Sequence, residues 1–163
     1  MTSKSSDAQA LTARKTPRQR RSVVTVATIL EAAARILETE GASAYSTNAV
    51  AARAGVSIGS LYQYFPSKDA ITRALIQENA RVLLADLRAV EMGGDAIAEF
   101  KCLLNVAVKH QLERPVLARI LDVEELRLPM DEAFKQTASE AMQVLLRVLT
   151  NTKMVAPAQQ ELV

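Results

Sequence analysis

Apolar residues recur at three- and four-residue intervals along most of the chain, which is the period of an α-helix that packs on one side. The first such segment covers residues 23–40, with Ser22 as the expected N-cap and Gly41 as the C-cap. Its inward positions are Val26, Ile29, Leu30, Ala33, Ile36 and Leu37. Because no segment alternates as a half-buried strand does, the pattern predicts an all-α fold of about seven helices.

Two short helical segments follow, separated by a glycine turn. Residues 47–54 form the first and residues 58–65 the second. Gly55 supplies the positive φ that a tight turn needs, and Pro66 ends the second helix. The expected N-caps are Ser46 or Thr47, and Ser57. This order is typical of a helix-turn-helix, whose second helix can lie in the major groove of DNA.

Four longer helical segments make up the rest, at residues 67–91, 95–112, 115–126 and 129–150. Gly93 and Gly94 separate the first two. The expected inward contacts of those two helices are Ile71, Leu75, Val82 and Leu83, then Ile97, Phe100, Leu104 and Val108. The last helix is apolar on more than one face, so we expect it to contribute to a dimer interface.

Composition excludes several classes of protein. No run approaches the roughly 20 apolar residues of a membrane span, and the polar N-terminus lacks a signal-peptide core, so a cytoplasmic protein is expected. The single cysteine, Cys102, cannot form an internal disulfide, and its apolar neighbours favour a buried thiol over a redox sensor. His110 is the only histidine. We therefore expect no metal site and no cofactor, and we do not expect an enzyme.

Charge is distributed unevenly along the chain. Residues 1–73 carry ten Lys and Arg against five Asp and Glu, a net +5, whereas residues 74–163 carry ten against thirteen, a net −3. Residues 1–21 are predicted to be a disordered basic arm that includes Arg21. The arm is either a solvated terminus or a contact to phosphates or the minor groove.

Helix geometry sorts the residues of the proposed recognition helix. Leu61 and Phe65 lie one turn apart and anchor the helix, while Gly59, Ser60 and Gln63 project to the other side. Small residues allow close approach to DNA, and a glutamine side chain can bond a base edge, most simply adenine, in two places.

Other side chains around this helix suit contacts to the DNA backbone. Tyr62, Tyr64, Lys68 and Thr47 can reach phosphates. Simpler roles stay open, since Thr47 and Ser57 can serve as helix caps alone and Tyr64 can pack on the small domain. The helical wheel turns Ile58 toward the core, and Arg53 is expected to be solvated or to face a phosphate.

Over residues 22–75 the chain resembles the N-terminal domain of the tetracycline-repressor (TetR) family of transcription regulators. The resemblance rests on residues 29–33, on Gly41 and on residues 54–68, Ala-Gly-Val-Ser-Ile-Gly-Ser-Leu-Tyr-Gln-Tyr-Phe-Pro-Ser-Lys. It implies an all-α homodimer that binds a palindromic operator and usually represses. The implied recognition positions are Ile58, Gly59, Ser60, Tyr62, Gln63 and Tyr64, with Thr47, Asn48 and Lys68 beside them.

The resemblance also implies a regulatory domain, in which a small molecule moves the fourth helix and releases the DNA. The expected domains are residues 22–67 for DNA binding, residues 68–155 for effector binding and dimerisation, and a tail at 156–163. Family members generally carry two further C-terminal helices, so a shortened form is expected. Candidate effector contacts are Leu87, Leu103, Val106, His110 and Met142, and the alternative is that these residues fill the core. A constitutive DNA-binding protein without an effector is the alternative function.

Overall fold

A computed structural model describes residues 20–91 and 95–151, with side chains described from Ser22 to Arg147. Within these ranges the fold is all-α and contains seven helices, which confirms the predicted class. The helices are α1 Arg20–Thr39, α2 Thr47–Ala54, α3 Ile58–Tyr64, α4 Lys68–Arg88, α5 Ala96–Glu113, α6 Pro115–Arg127 and α7 Glu132–Asn151. The predicted basic arm before Arg20, the pair Gly93 and Gly94, and the tail at 156–163 lie outside the described residues.

Serine caps and two left-handed glycines lie at the ends of the first three helices. Ser46 Oγ accepts a hydrogen bond from the Ala49 amide at 3.2 Å, so Ser46 is the N-cap of α2. Gly41 and Gly55 have φ of 79° and 67°, a conformation that glycine adopts without steric cost. The predicted cap at Ser22 is wrong, because α1 begins at Arg20 and Ser22 lies inside it.

The chain divides into two compact units, and the first contains the helix-turn-helix. This unit, called the head below, comprises the described residues up to Glu78 together with Arg114–Met130. Its core side chains are covered almost completely, among them Ile29, Val50, Leu61, Phe65 and Ile71. α6 belongs to the head because it packs against α1, so the compact unit is discontinuous in sequence and differs from the expected boundary after residue 67.

The second unit comprises Asn79–Glu113 and the described residues from Asp131 onward. Leu87 and Leu103 form its buried centre, with Leu83, Phe100 and Leu145 among the half-buried side chains around them. The inward placement expected for part of α5 is wrong, because Ile97, Leu104 and Val108 are about half exposed. α5 turns Leu103 inward instead.

Two further expectations about individual side chains are also wrong. Cys102 is exposed rather than buried, although the next residue, Leu103, is completely covered. Val82 of α4 is 36% exposed, so it is not a core position. Within the ranges that the structure covers, none of the helices has the length and apolar character to cross a membrane.

Candidate nucleic-acid interface

The helix-turn-helix presents one buried and one exposed side of α3. Leu61 and Phe65 are 0% and 1% exposed and hold the helix in the head. Gly59 and Gln63 are exposed, and Ser60 is half-buried. The structure therefore brings the small residues and the glutamine to the surface of the same short helix, as the wheel predicts.

Hydrogen bonds that involve side-chain hydroxyl groups connect the residues of this surface. Ser57 Oγ accepts a hydrogen bond from the Ser60 amide at 3.0 Å, and the two serine hydroxyls lie 2.8 Å apart. Ser57 is thus the N-cap of α3. The Thr47 and Tyr62 hydroxyls lie 3.2 Å apart, which links the first residue of α2 to the outer side of α3. Tyr62 keeps 41% of its surface exposed, so its hydroxyl is held in place while it remains accessible.

The neighbouring predicted residues lie at the edges of this surface. The half-buried Tyr64 donates its hydroxyl hydrogen to Ser22 Oγ at 3.5 Å, on α1. Asn48 is exposed near the start of α2, and the side chain of Arg21 lies outside the described residues. Ile58 is 38% exposed, so its expected coreward orientation is wrong. Arg53 pairs with Glu40 at 2.6 Å, an intramolecular role that its position in the motif did not indicate.

Lys68 lies at the start of α4 and contacts Tyr45, a residue that the sequence did not single out. Its ammonium group lies 5.7 Å from the centre of the Tyr45 ring, within the range of a cation–π contact. The Tyr45 hydroxyl lies 3.1 Å from Thr72 Oγ1 and donates to the Lys68 carbonyl at 3.5 Å. Burial raises the pKa of Tyr45 to about 12, so the phenol stays neutral at physiological pH.

Two arginines at the ends of α6, the N-cap Arg114 and the last residue Arg127, bind acidic residues elsewhere in the head, and neither contact was predicted. Arg127 donates to Asp69 at 2.7 Å and to Glu124 at 2.6 Å. Arg114, at the other end of the helix, donates to Glu38 and to Glu31. These arginines lie 58 and 76 positions from Asp69 and Glu38, so no local pattern could reveal the pairs.

The carboxylates of Asp69 and Glu31 are held in their charged form. The hydrogen bond from Arg127 holds the pKa of Asp69 below its ordinary value. Burial alone would raise the pKa of Glu31, but the hydrogen bonds from Arg35 and Arg114 outweigh burial and lower it. Both ion pairs therefore persist at neutral pH.

The candidate effector contacts are placed in different surroundings within the second unit. Leu87 and Leu103 are fully buried, and Val106 packs against them. His110 Nε2 lies 3.1 Å from Asn79 Oδ1. Met142 is 55% exposed, away from that centre. Among the described residues, no group of histidine, cysteine and acidic side chains is arranged to hold a metal ion.

Comparison with known proteins places the helix-turn-helix in a family. The profile described as bacterial regulatory proteins, tetR family, matches residues 29–75, which run from the second half of α1 to the first half of α4. Residues 29–75 belong to the TetR family. This confirms the resemblance drawn from residues 29–33, Gly41 and residues 54–68.

TetR-family structures share the fold over a larger part of the chain. The fatty acid degradation regulator FadR from Bacillus halodurans is 24% identical, with a TM-score of 0.67 over 91% of this chain and 75% of its own. A TetR family transcription regulator from Marinobacter aquaeolei is also 24% identical, with a TM-score of 0.66 over 83% of this chain and 72% of its own. At this identity the likeness shows the fold.

Curated relatives in the TetR family include proteins with a named role. The nucleoid occlusion factor SlmA of Vibrio atlanticus is 31% identical over 126 residues, and that of Vibrio campbellii is 30% identical. Each match covers 72% of this chain. The chain spans 64% of the length of these relatives.

Proposed function

We propose that this TetR-family protein is a sequence-specific DNA-binding transcription regulator whose α3 enters the major groove. The observation that carries the proposal is the surface of α3, where Gly59 and Gln63 are exposed while Leu61 is completely buried. A helix fixed by its apolar side and open on its polar side is the geometry needed to read base edges. A DNA partner of this kind implies a cytoplasmic location.

The contacts that we assign fall into two classes. Gln63 reads a base edge through its amide, and Gly59 and Ser60 allow the backbone to approach. The phosphate contacts are made by Tyr62, Tyr64, Thr47, Asn48 and Lys68, with Arg21 and the basic arm beside them. The link between Thr47 and Tyr62 supports this assignment, because it holds a phosphate-binding hydroxyl in place before DNA arrives. Ile58 joins this surface, since its exposure allows an apolar contact with a thymine methyl group.

A homodimer is part of the proposal. Ile97, Leu104, Val108 and Leu112 of α5 recur at seven- and four-residue spacing on one side of the helix, and they are 47% to 66% exposed. We call this set the apolar stripe. Met142 and Leu146 of α7 are about half exposed in the same unit. An apolar surface of this kind suits burial against a second copy, and two copies would read a palindromic operator.

Regulation by a small molecule is the finer part of the proposal. α4 carries both Lys68, at the DNA-binding surface, and Leu87, in the centre of the second unit. An effector that displaced Leu87 or its neighbours Leu103 and Val106, with His110 as polar partner, would act on the same helix that carries Lys68. Such a protein would be a repressor released by its effector. A constitutive regulator without an effector is the alternative, and a thermal-shift screen of small molecules separates the two.

A nucleoid occlusion role is a second candidate, favoured by the identity to the factors from Vibrio atlanticus and Vibrio campbellii. Such a role shares the DNA-binding surface but predicts a different distribution of sites. A regulator should occupy few chromosomal sites next to promoters, whereas an occlusion factor should occupy many sites regardless of promoters.

The test is selection of bound sequences from random DNA, followed by mapping of bound sites on the chromosome. We expect a palindromic consensus with two half-sites, and sites next to promoters. Enrichment without any consensus would contradict sequence-specific reading. A palindrome spread over many sites away from promoters would favour the occlusion role instead.

A further inference from the structure

α6 lies next to the start of α4 in the head, although it is separated from α4 in sequence by all of α5. Arg127, its last residue, donates to both carboxylate oxygens of Asp69, at 2.7 and 3.2 Å. It also donates to Glu124 of its own helix at 2.6 and 2.8 Å. One guanidinium group thus holds two carboxylates that would otherwise carry free negative charge.

These carboxylates lie beside the proposed phosphate contact. Asp69 follows Lys68 directly, and the charge of Lys68 helps to lower the pKa of Asp69. Asp69 and Glu124 both act electrostatically on the Tyr45 hydroxyl, and the Lys68 ammonium lies 5.7 Å from the centre of the Tyr45 ring. Lys68, Asp69, Glu124 and Arg127 therefore form one charge cluster around Tyr45.

An unneutralised carboxylate next to Lys68 would disfavour DNA in two ways. It would repel the incoming phosphate, and it would attract the lysine side chain away from the phosphate. We propose that Arg127 of α6 completes the DNA-binding surface by neutralising Asp69 and Glu124, leaving Lys68 available to a phosphate. Arg127 is a positioning residue, because it acts through Asp69 and not by touching DNA. The inference rests on the proposed DNA-binding function.

The test is a double-mutant cycle in the full chain, read by fluorescence anisotropy on a random-sequence DNA duplex. A random duplex is sufficient because phosphate contacts do not depend on sequence. We expect Arg127→Gln to weaken binding roughly threefold to tenfold at low salt, and the loss to shrink as salt rises. Asp69→Asn added to Arg127→Gln should restore most of the affinity, because it removes the carboxylate directly next to Lys68 and leaves only Glu124 without its partner.

Arg119→Gln is the matched control. Arg119 is an exposed arginine of the same helix, and its side chain donates to the Pro115 carbonyl. If loss of any positive charge on α6 weakens binding, the control should weaken it as much as Arg127→Gln does, and the proposal would be overturned. We expect the control to leave affinity within about twofold of the unchanged protein.

The cycle also separates a charge effect from a structural one. Should Arg127→Gln act only by loosening α6, then Asp69→Asn would not restore binding, since it cannot re-form the pair, and that result would overturn the proposal. Thermal unfolding of each variant gives the independent measure of folding. Failure of the unchanged protein to bind DNA would refute the proposed function itself, whereas normal binding with no response to Arg127→Gln would refute the inference alone.

Discussion

In the head, the large side chains at helix contacts are covered completely, with Ile29, Val50 and Leu61 at 0% exposure. In the second unit, Leu87 and Leu103 reach that level, while all four residues of the apolar stripe stay about half exposed or more. The head also has capped short helices and ion pairs between helices, from α6 to α1 and to α4. The contrast shows that the most completely covered core lies in the head, although Val123 and Leu126 of α6 are exposed there as well. It fits the proposal that a second copy covers the apolar stripe.

The largest effect should come from the centre of the head. Leu61→Ala leaves a cavity in the covered core and should lower the free energy of unfolding by about 2–5 kcal/mol. Leu104→Ala, the matched truncation in the second unit, removes a side chain that is 48% exposed and should cost far less. Urea unfolding of both variants at low protein concentration measures the difference. If both variants lost the same free energy of unfolding, the two units would not differ in how completely their apolar side chains are packed.

Self-association should depend on the second unit. Leu104→Asp places a charge in the apolar stripe and should weaken the dimer by about 3 kcal/mol, roughly a hundredfold in its dissociation constant. Cys102→Asp, an exposed position on another side of α5, should leave the dimer intact. Light scattering over a concentration series gives the constants. If the unchanged chain stayed monomeric at all micromolar concentrations, the apolar stripe would not be a dimer interface.

Base reading should depend on the head alone. Gln63→Ala should cost about 1–3 kcal/mol on the selected operator and relax the preference at one base pair per half-site. Binding to random DNA should change little, and Gln111→Ala, an exposed glutamine of α5, should change neither. Competition between operator and random duplexes measures both effects. An equal loss of affinity on both duplexes would show that Gln63 contacts the DNA backbone and does not read a base.

The smallest effect concerns acid stability of the head. The pKa values of Asp69 and Glu31 are lowered in the folded state, so their contribution is present above their unfolded pKa values and is lost as pH falls through the folded ones. Asp69→Asn and Glu31→Gln should therefore slightly reduce stability at neutral pH and flatten its fall below roughly pH 4. Glu132→Gln, whose side chain is 88% exposed in the second unit, is the control. Urea unfolding midpoints measured across this pH range test the prediction. If both head variants lost stability with falling pH as steeply as the unchanged protein, the role of these ion pairs would be contradicted.

The sequence predicts the helix-turn-helix well because its structure depends on local signals. Gly55 needs a positive φ, Ser57 caps the next helix and Leu61 recurs one turn before Phe65, so neighbouring residues determine α2, the turn and α3. The periodicity of α5 predicts a helix but cannot decide which of two apolar sides meets the core. For that reason the sequence predicts both Leu103 and Leu104 as inward positions, whereas the structure buries Leu103 and leaves Leu104 about half exposed.

Contacts between distant parts of the chain explain the rest of what sequence reasoning missed. Tyr45 lies in the loop between α1 and α2 with no motif to mark it, yet its ring supports Lys68. Arg127 and Arg114 belong to the head only because α6 packs on α1. Predicting either arginine's role would have required the tertiary placement of α6 in advance.

The most direct test of DNA binding through α3 is anisotropy of the full chain on the selected duplex and on random DNA, across a salt series. We expect the logarithm of affinity to fall linearly with the logarithm of salt concentration on both duplexes, with the selected duplex bound at least about a hundredfold more tightly. If no duplex showed salt-dependent binding, or if the selected and random duplexes bound equally, the exposed side of α3 would not be a DNA-reading surface.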